Sequence, residues 1–109
     1  MIEAKIYKTP LGQVKSFSVK NHAESNVCAA VSMLTLNTVN SIETFTDAEF
    51  TCEFSEDGGF LTLTLSSINN DRAGLLLDAM VLGLTMASEE YPSEVSVQLI
   101  CPDQFNESE

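Results

Sequence analysis

The run Phe50-Thr51-Cys52-Glu53-Phe54-Ser55-Glu56-Asp57-Gly58-Gly59-Phe60-Leu61-Thr62-Leu63-Thr64-Leu65-Ser66 decides the fold. Phe50, Cys52 and Phe54, led in by Ala48, alternate with Glu49, Thr51 and Glu53; beyond the turn, Leu61, Leu63 and Leu65 alternate with threonines. A period of two marks strands with one buried face, and the Gly-rich stretch Ser55 to Gly59 between two such runs marks a hairpin. Gly58-Gly59 is thereby spent on a turn, and Cys52 falls on the apolar side, where a small buried hydrophobe is the ordinary reading.

Helical patterns flank this hairpin on both sides. Upstream, from Val27 to about Ile42, Val27, Ala30, Val31 and Leu34 recur at helical spacing, and Met33, Leu36 and Val39 widen the stripe. Thr35, Asn37, Thr38 and Asn40 lower the intrinsic helix propensity of its second half, so packing must hold that end. Downstream, Asn70 or Asp71 caps a helix from about Arg72 to Glu90. Ala73, Leu76, Leu77, Met80, Leu84 and Ala87 share one face, with Leu75, Ala79, Leu82 and Met86 beside it. Most of this Leu and Met content is expected in the core, and part of it is left open as a dimer contact.

Further out, Ile2, Ala4 and Ile6 alternate with Glu3, Lys5 and Tyr7, Thr9-Pro10-Leu11-Gly12 reads as a turn, and Val14 to Val19 returns as a hairpin partner. Pro92 ends the second helix, and Ser93 to Ile100 is a last strand with Val95, Val97 and Leu99 on one side. The order ββαββαβ predicts an α+β domain with two helices packed on one face of a mixed or antiparallel sheet. Residues 1–101 are expected to form a single domain, and 102–109 an acidic, frayed tail.

Sixteen acidic residues against five basic ones give the 109-residue chain a formal net charge of -11. That balance opposes nucleic acid binding and suits a basic protein or peptide partner, although it also serves solubility. Three cysteines without C-x-x-C spacing, and no secretory segment, fit the reducing cytoplasm rather than a disulfide framework. The longest apolar stretch, Leu75 to Ala87, is interrupted by Asp78 and Gly83 and is too short to span a membrane.

The chemistry concentrates in Asn21-His22-Ala23-Glu24-Ser25-Asn26-Val27-Cys28-Ala29-Ala30-Val31-Ser32, which holds the only histidine and, six positions later, a cysteine. With Ser25 or Asn26 as the cap, Cys28 sits in the first turn of a helix, where unpaired amides and the positive helix end favour a thiolate. His22, delivered by the preceding loop, could take the thiol proton; equally, one His and one Cys at this spacing arise often by chance. Ser32, one turn on, either donates toward the sulfur or bonds the carbonyl four residues back. Cys101 is strand-end packing or simply exposed, and thiol redox chemistry would need a resolving cysteine close to Cys28. No zinc-like ligand spacing, phosphate-binding glycine motif or distinguishable carboxylate pair occurs, so no metal or cofactor is expected.

The run Cys28-Ala29-Ala30-Val31-Ser32 with the upstream His22-Ala23 resembles the signature of the ribosomal-processing cysteine protease family, Prp. The resemblance extends over the opening hairpin, the first helix to near Val39-Asn40, and the second from Gly83-Leu84 to Tyr91-Pro92. It implies a homodimeric endopeptidase that removes the N-terminal extension of bacterial ribosomal protein L27. By the same resemblance, Cys28 is the nucleophile and His22 the general base and then acid, with amides at the helix start holding the oxyanion.

Asn21 stands where the family has glycine, and Ser25 where it has aspartate; the segment Ala23 to Val27 is shorter than the family's glycine-containing loop. The short loop reads as a gap in the sequence rather than as a natural deletion. The competing reading is a non-catalytic acidic module that binds a basic ribosomal protein or serves as a dimeric structural protein.

Overall fold

A computed structural model describes residues 1–20, 26–56 and 59–101. Its elements are β1 (Ile2–Lys8), β2 (Val14–Lys20), α1 (Asn26–Phe45), β3 (Phe50–Phe54), β4 (Phe60–Leu65), α2 (Asp71–Glu90) and β5 (Val95–Ile100), in the expected ββαββαβ order. The strands form one sheet in the order β3-β4-β2-β1-β5. The β1–β5 pair is parallel and the other three are antiparallel, so the sheet is mixed.

This topology explains why both helices share a face. The β2–α1–β3 connection joins parallel strands by crossing over β4, and β4–α2–β5 joins parallel strands by crossing β2 and β1 in the opposite direction. Because β2 and β4 also run oppositely, two crossovers of the usual right hand deposit their helices on the same side. That side carries the core. Ile6, Phe17 and Leu63 lie in register across β1, β2 and β4, and all three are fully buried.

At the β1–β2 turn, the Gly12 N–H donates to the Thr9 carbonyl at 2.9 Å and Gly12 takes φ of 85°, a conformation that a side chain would strain. Thr46 Oγ1 accepts from the Ala48 N–H at 3.1 Å, and this turn delays β3 to Phe50. The Tyr91 carbonyl accepts from Glu94 and Val95, so β5 starts two residues later than Ser93.

The helix stripes depart from the sequence reading. On α1 the buried residues are Val27, Val31, Thr35, Thr38 and Ile42, whereas Ala30, Met33 and Leu36 are exposed. The threonines tolerate burial because Thr35 Oγ1 donates to the Val31 carbonyl (3.1 Å) and Thr38 Oγ1 to that of Leu34 (2.8 Å). Their methyl groups then complete an apolar face that continues α1 three residues past Ile42, to Phe45.

On α2 the cap is Asn70, whose Oδ1 accepts from the Ala73 N–H at 3.0 Å. Ala73, Leu77, Met80 and Leu84 are buried, but Leu75, Leu82 and Met86 are 60–70% exposed and do not belong to the core. A helix on a single sheet buries one stripe, and α1 covers only the Gly83 side of α2, where Leu34 packs. The expected acidic tail, 102–109, lies outside the described residues.

Candidate active site

Cys28 is the third residue of α1 and sits in its first turn, as the sequence suggested. Asn26 is already helical and is not the cap; the other candidate, Ser25, lies outside the described residues. Val27 and Val31 anchor this turn in the core, and they hold Cys28 half-buried at its margin. Cys28 is therefore not a fully enclosed residue.

The two helix starts differ in a way that bears on chemistry. Asp71 in the first turn of α2 places a carboxylate at its positive end, as helices commonly do. No acidic residue stands in the first turn of α1, where Cys28 occupies the place instead. The positive end of α1 therefore faces no carboxylate of its own first turn, which favours an anion such as a thiolate there.

His22 lies outside the described residues, as do Asn21, Ala23, Glu24 and Ser25. The described anchors on either side are Lys20, the end of β2, and Asn26, the start of α1. The sequence runs without interruption from His22 through Ala23 to Val27 into Cys28. The expectation of missing residues is thus corrected: the short connection belongs to this chain.

Beside this turn runs a groove of about 270 Å³. Ser32 and Leu36 of α1, Val19 of β2, Phe54 of β3 and Phe60 of β4 line it, and Glu56 of the hairpin turn borders it. Ser32 stands one turn along α1 from Cys28, so the groove opens on the helix face that carries the sulfur. Phe54 is paired with Leu61 and so faces the helix side of the sheet, yet it is 67% exposed because β3 is the edge strand and α1 does not reach over it. The sequence reading treated these aromatics as hairpin packing. Only their position at the two ends of the turn hinted that they flank an opening.

The other two cysteines belong to the sheet and its margins rather than to α1. Cys52 pairs with Leu63 and packs half-buried against the core. Burial pushes its thiol above the ordinary value of 9.0, and the charge of Glu53 adds to the effect. Cys101, half-buried, follows β5 at the opposite margin of the sheet. Four strand spacings, roughly 19 Å, separate those margins. No disulfide joins any of the three cysteines. Among the described residues, no cluster of three or more His, Cys, Asp or Glu is placed to hold a metal ion. No described helix is long and apolar enough to cross a membrane.

Residues 1–96 match the family model described as cysteine protease Prp. The ribosomal processing cysteine protease Prp of Staphylococcus aureus (strain Mu50) is 28% identical over 101 residues, which cover 87% of this chain and 95% of the relative. The fold is similar to that of the essential ribosomal processing protease Prp from S. aureus in complex with a covalently linked product peptide. That similarity has a TM-score of 0.86 at 28% identity and covers 91% of this chain and 99% of the other. SMU.848 from Streptococcus mutans is also similar, with a TM-score of 0.82 at 29% identity over 93% of this chain and 98% of that one.

Proposed function

The chain belongs to the cysteine protease Prp family, and from that premise we propose that Cys28 is its nucleophile and His22 its general base, acting on ribosomal protein L27. The observation that carries the assignment is the placement of Cys28: half-exposed, in a first turn without a carboxylate, one turn from a groove lined by exposed aromatic rings. His22 enters two residues beyond β2 and six before the sulfur in sequence.

The reaction then runs as acyl transfer. His22 accepts the Cys28 proton, and Sγ attacks the carbonyl carbon of the scissile peptide bond. The carbonyl oxygen becomes an oxyanion held by first-turn amides of α1. Collapse of the intermediate breaks the C–N bond as His22 returns the proton to the leaving amine, which leaves a thioester on Cys28. Water, deprotonated by His22, hydrolyses the thioester, and the thiol is restored.

Residues 1–101 supply this domain, working as a homodimer in the cytoplasm, without nucleic acid or membrane binding. The net charge of -11 attracts a basic substrate and raises its encounter rate. Incubating the L27 precursor with wild type, Cys28→Ala and His22→Ala, and following the N-terminus by mass spectrometry, tests the assignment. Removal of the extension by wild type alone is expected. Processing by Cys28→Ala at the wild-type rate would overturn it.

A further inference from the structure

The backbone of β3 is laid out to take one more strand. The Ser66 N–H donates to the Glu49 carbonyl at 2.8 Å, and the Ser55 N–H donates to the Phe60 carbonyl at 3.1 Å. An antiparallel pair exchanges bonds at every second residue, so Glu49, Thr51, Glu53 and Ser55 turn their backbone groups toward β4. Phe50, Cys52 and Phe54 therefore turn their N–H and C=O groups outward, and among the described residues no strand lies against them.

Side chains divide along the same alternation. Phe50, Cys52 and Phe54 lie on the helix side of the sheet, whereas Glu49, Thr51 and Glu53 lie on the other side and are exposed. At its upper end the strand runs into the groove near Cys28, because Phe54, Ser55 and Glu56 line that groove opposite Ser32 and Leu36. An extended chain lying along β3 would thus be led toward the sulfur.

We propose that the outer edge of β3 binds the polypeptide substrate by strand addition, so that a sheet of five strands in the free protein has six when substrate is bound. The inference rests on the protease reading above and deepens it by naming how the substrate is held. Main-chain bonds to Phe50, Cys52 and Phe54 supply affinity independent of sequence, and alternate side chains supply selection. Substrate residues that share the helix side meet the rings of Phe50 and Phe54 and are best filled by bulky apolar groups. Those on the other side meet Glu49 and Glu53, which favour lysine or arginine and disfavour acids. The substrate class is therefore an extended segment in which apolar and basic side chains alternate.

Binding to Cys28→Ala of a peptide spanning the cleaved bond of the L27 precursor, measured by calorimetry, tests the proposal, with cleavage of the same peptide by wild type as the reference. The peptide is N-methylated at one position at a time, beginning a few residues from the cleaved bond. Methylation is expected to raise Kd about tenfold at every second position on one side of the bond, where the N–H faces β3, and to change it little at the positions between. Glu53→Lys is expected to weaken binding several-fold. Glu90→Lys, an equal change of net charge at the end of α2 that leads to the opposite margin, is expected to leave it unchanged.

Equal effects at neighbouring positions, or none at any, would overturn strand addition and leave the protease reading standing. Equal weakening by Glu53→Lys and Glu90→Lys would overturn the basic segment as occupant. Peptide binding that weakens as protein concentration rises would assign the edge to a second copy and overturn the proposal. A peptide left uncut by wild type would overturn the protease reading and the proposal together.

Discussion

Leu34 Cδ2 lies 2.8 Å from the point where a β-carbon on Gly83 would stand. The two helices approach closely there because Gly83 has no side chain, and a leucine of α1 fills the space. Gly74, on the same helix, would gain a β-carbon with no heavy atom within 4 Å.

The two glycines therefore separate propensity from packing. Gly74→Ala is expected to stabilise the protein by about 0.5–1 kcal/mol through lost chain entropy in the unfolded state. Gly83→Ala gains the same propensity but forces the half-buried tip of Leu34 to turn aside, which offsets part or all of that gain. Urea unfolding of the two variants should place Gly83→Ala below Gly74→Ala, and equal midpoints would contradict the close approach.

Capping makes a second stability test. Asn70 Oδ1 accepts the Ala73 N–H, and Asn70→Ala leaves that donor to water. A loss of about 1 kcal/mol is expected, while Asn70→Asp or Asn70→Ser retains most of it. Thermal melts of the three variants give the ranking directly.

Phe54 and Phe60 frame the groove with rings that the core does not use. If they hold apolar side chains of the substrate, Phe54→Ala should raise KM about tenfold with kcat little changed, the pattern of lost uniform binding. Global stability should move little, because the ring of Phe54 is mostly in water. A fall in kcat at unchanged KM would count against a binding role.

The alkaline limb of the stability curve should carry the mark of Cys52. Its folded-state thiol is raised by burial and then by Glu53, so folding favours the protonated form. That contribution is complete below the ordinary value of 9.0 and is lost as pH rises through the folded value. Urea midpoints measured across the alkaline range should fall less steeply for Cys52→Ala than for wild type. Parallel curves would refute the linkage.

The alternations of Ile2-Ala4-Ile6 and Leu61-Leu63-Leu65 were legible as sheet because each position has only two faces to choose from, and one had to be buried. Helices offer a circle of directions, which is why Met33 and Leu36 read as core while Thr35 and Thr38 took the buried places. Nothing local announces that a threonine will satisfy its hydroxyl on its own helix. Cys28 falls in the first turn of α1 as expected because the start of an apolar helical run is a local property. The groove was not visible, since Val19, Ser32 and Phe60 meet only when β2, α1 and β4 have been assembled.

Strand order has one more consequence. Among the described residues, β3 and β5 are the margins of the sheet, and β3 is an apolar ribbon of Phe50, Cys52 and Phe54 with no strand paired to its outer edge. Such a rim invites further strands to add on, the route by which β-proteins stick to one another. Glu49 and Glu53 interrupt that ribbon on its solvent side, and a second copy laid alongside would crowd carboxylate against carboxylate. The acidity of the chain thus acts as a gatekeeper as well, keeping the sheet at five strands.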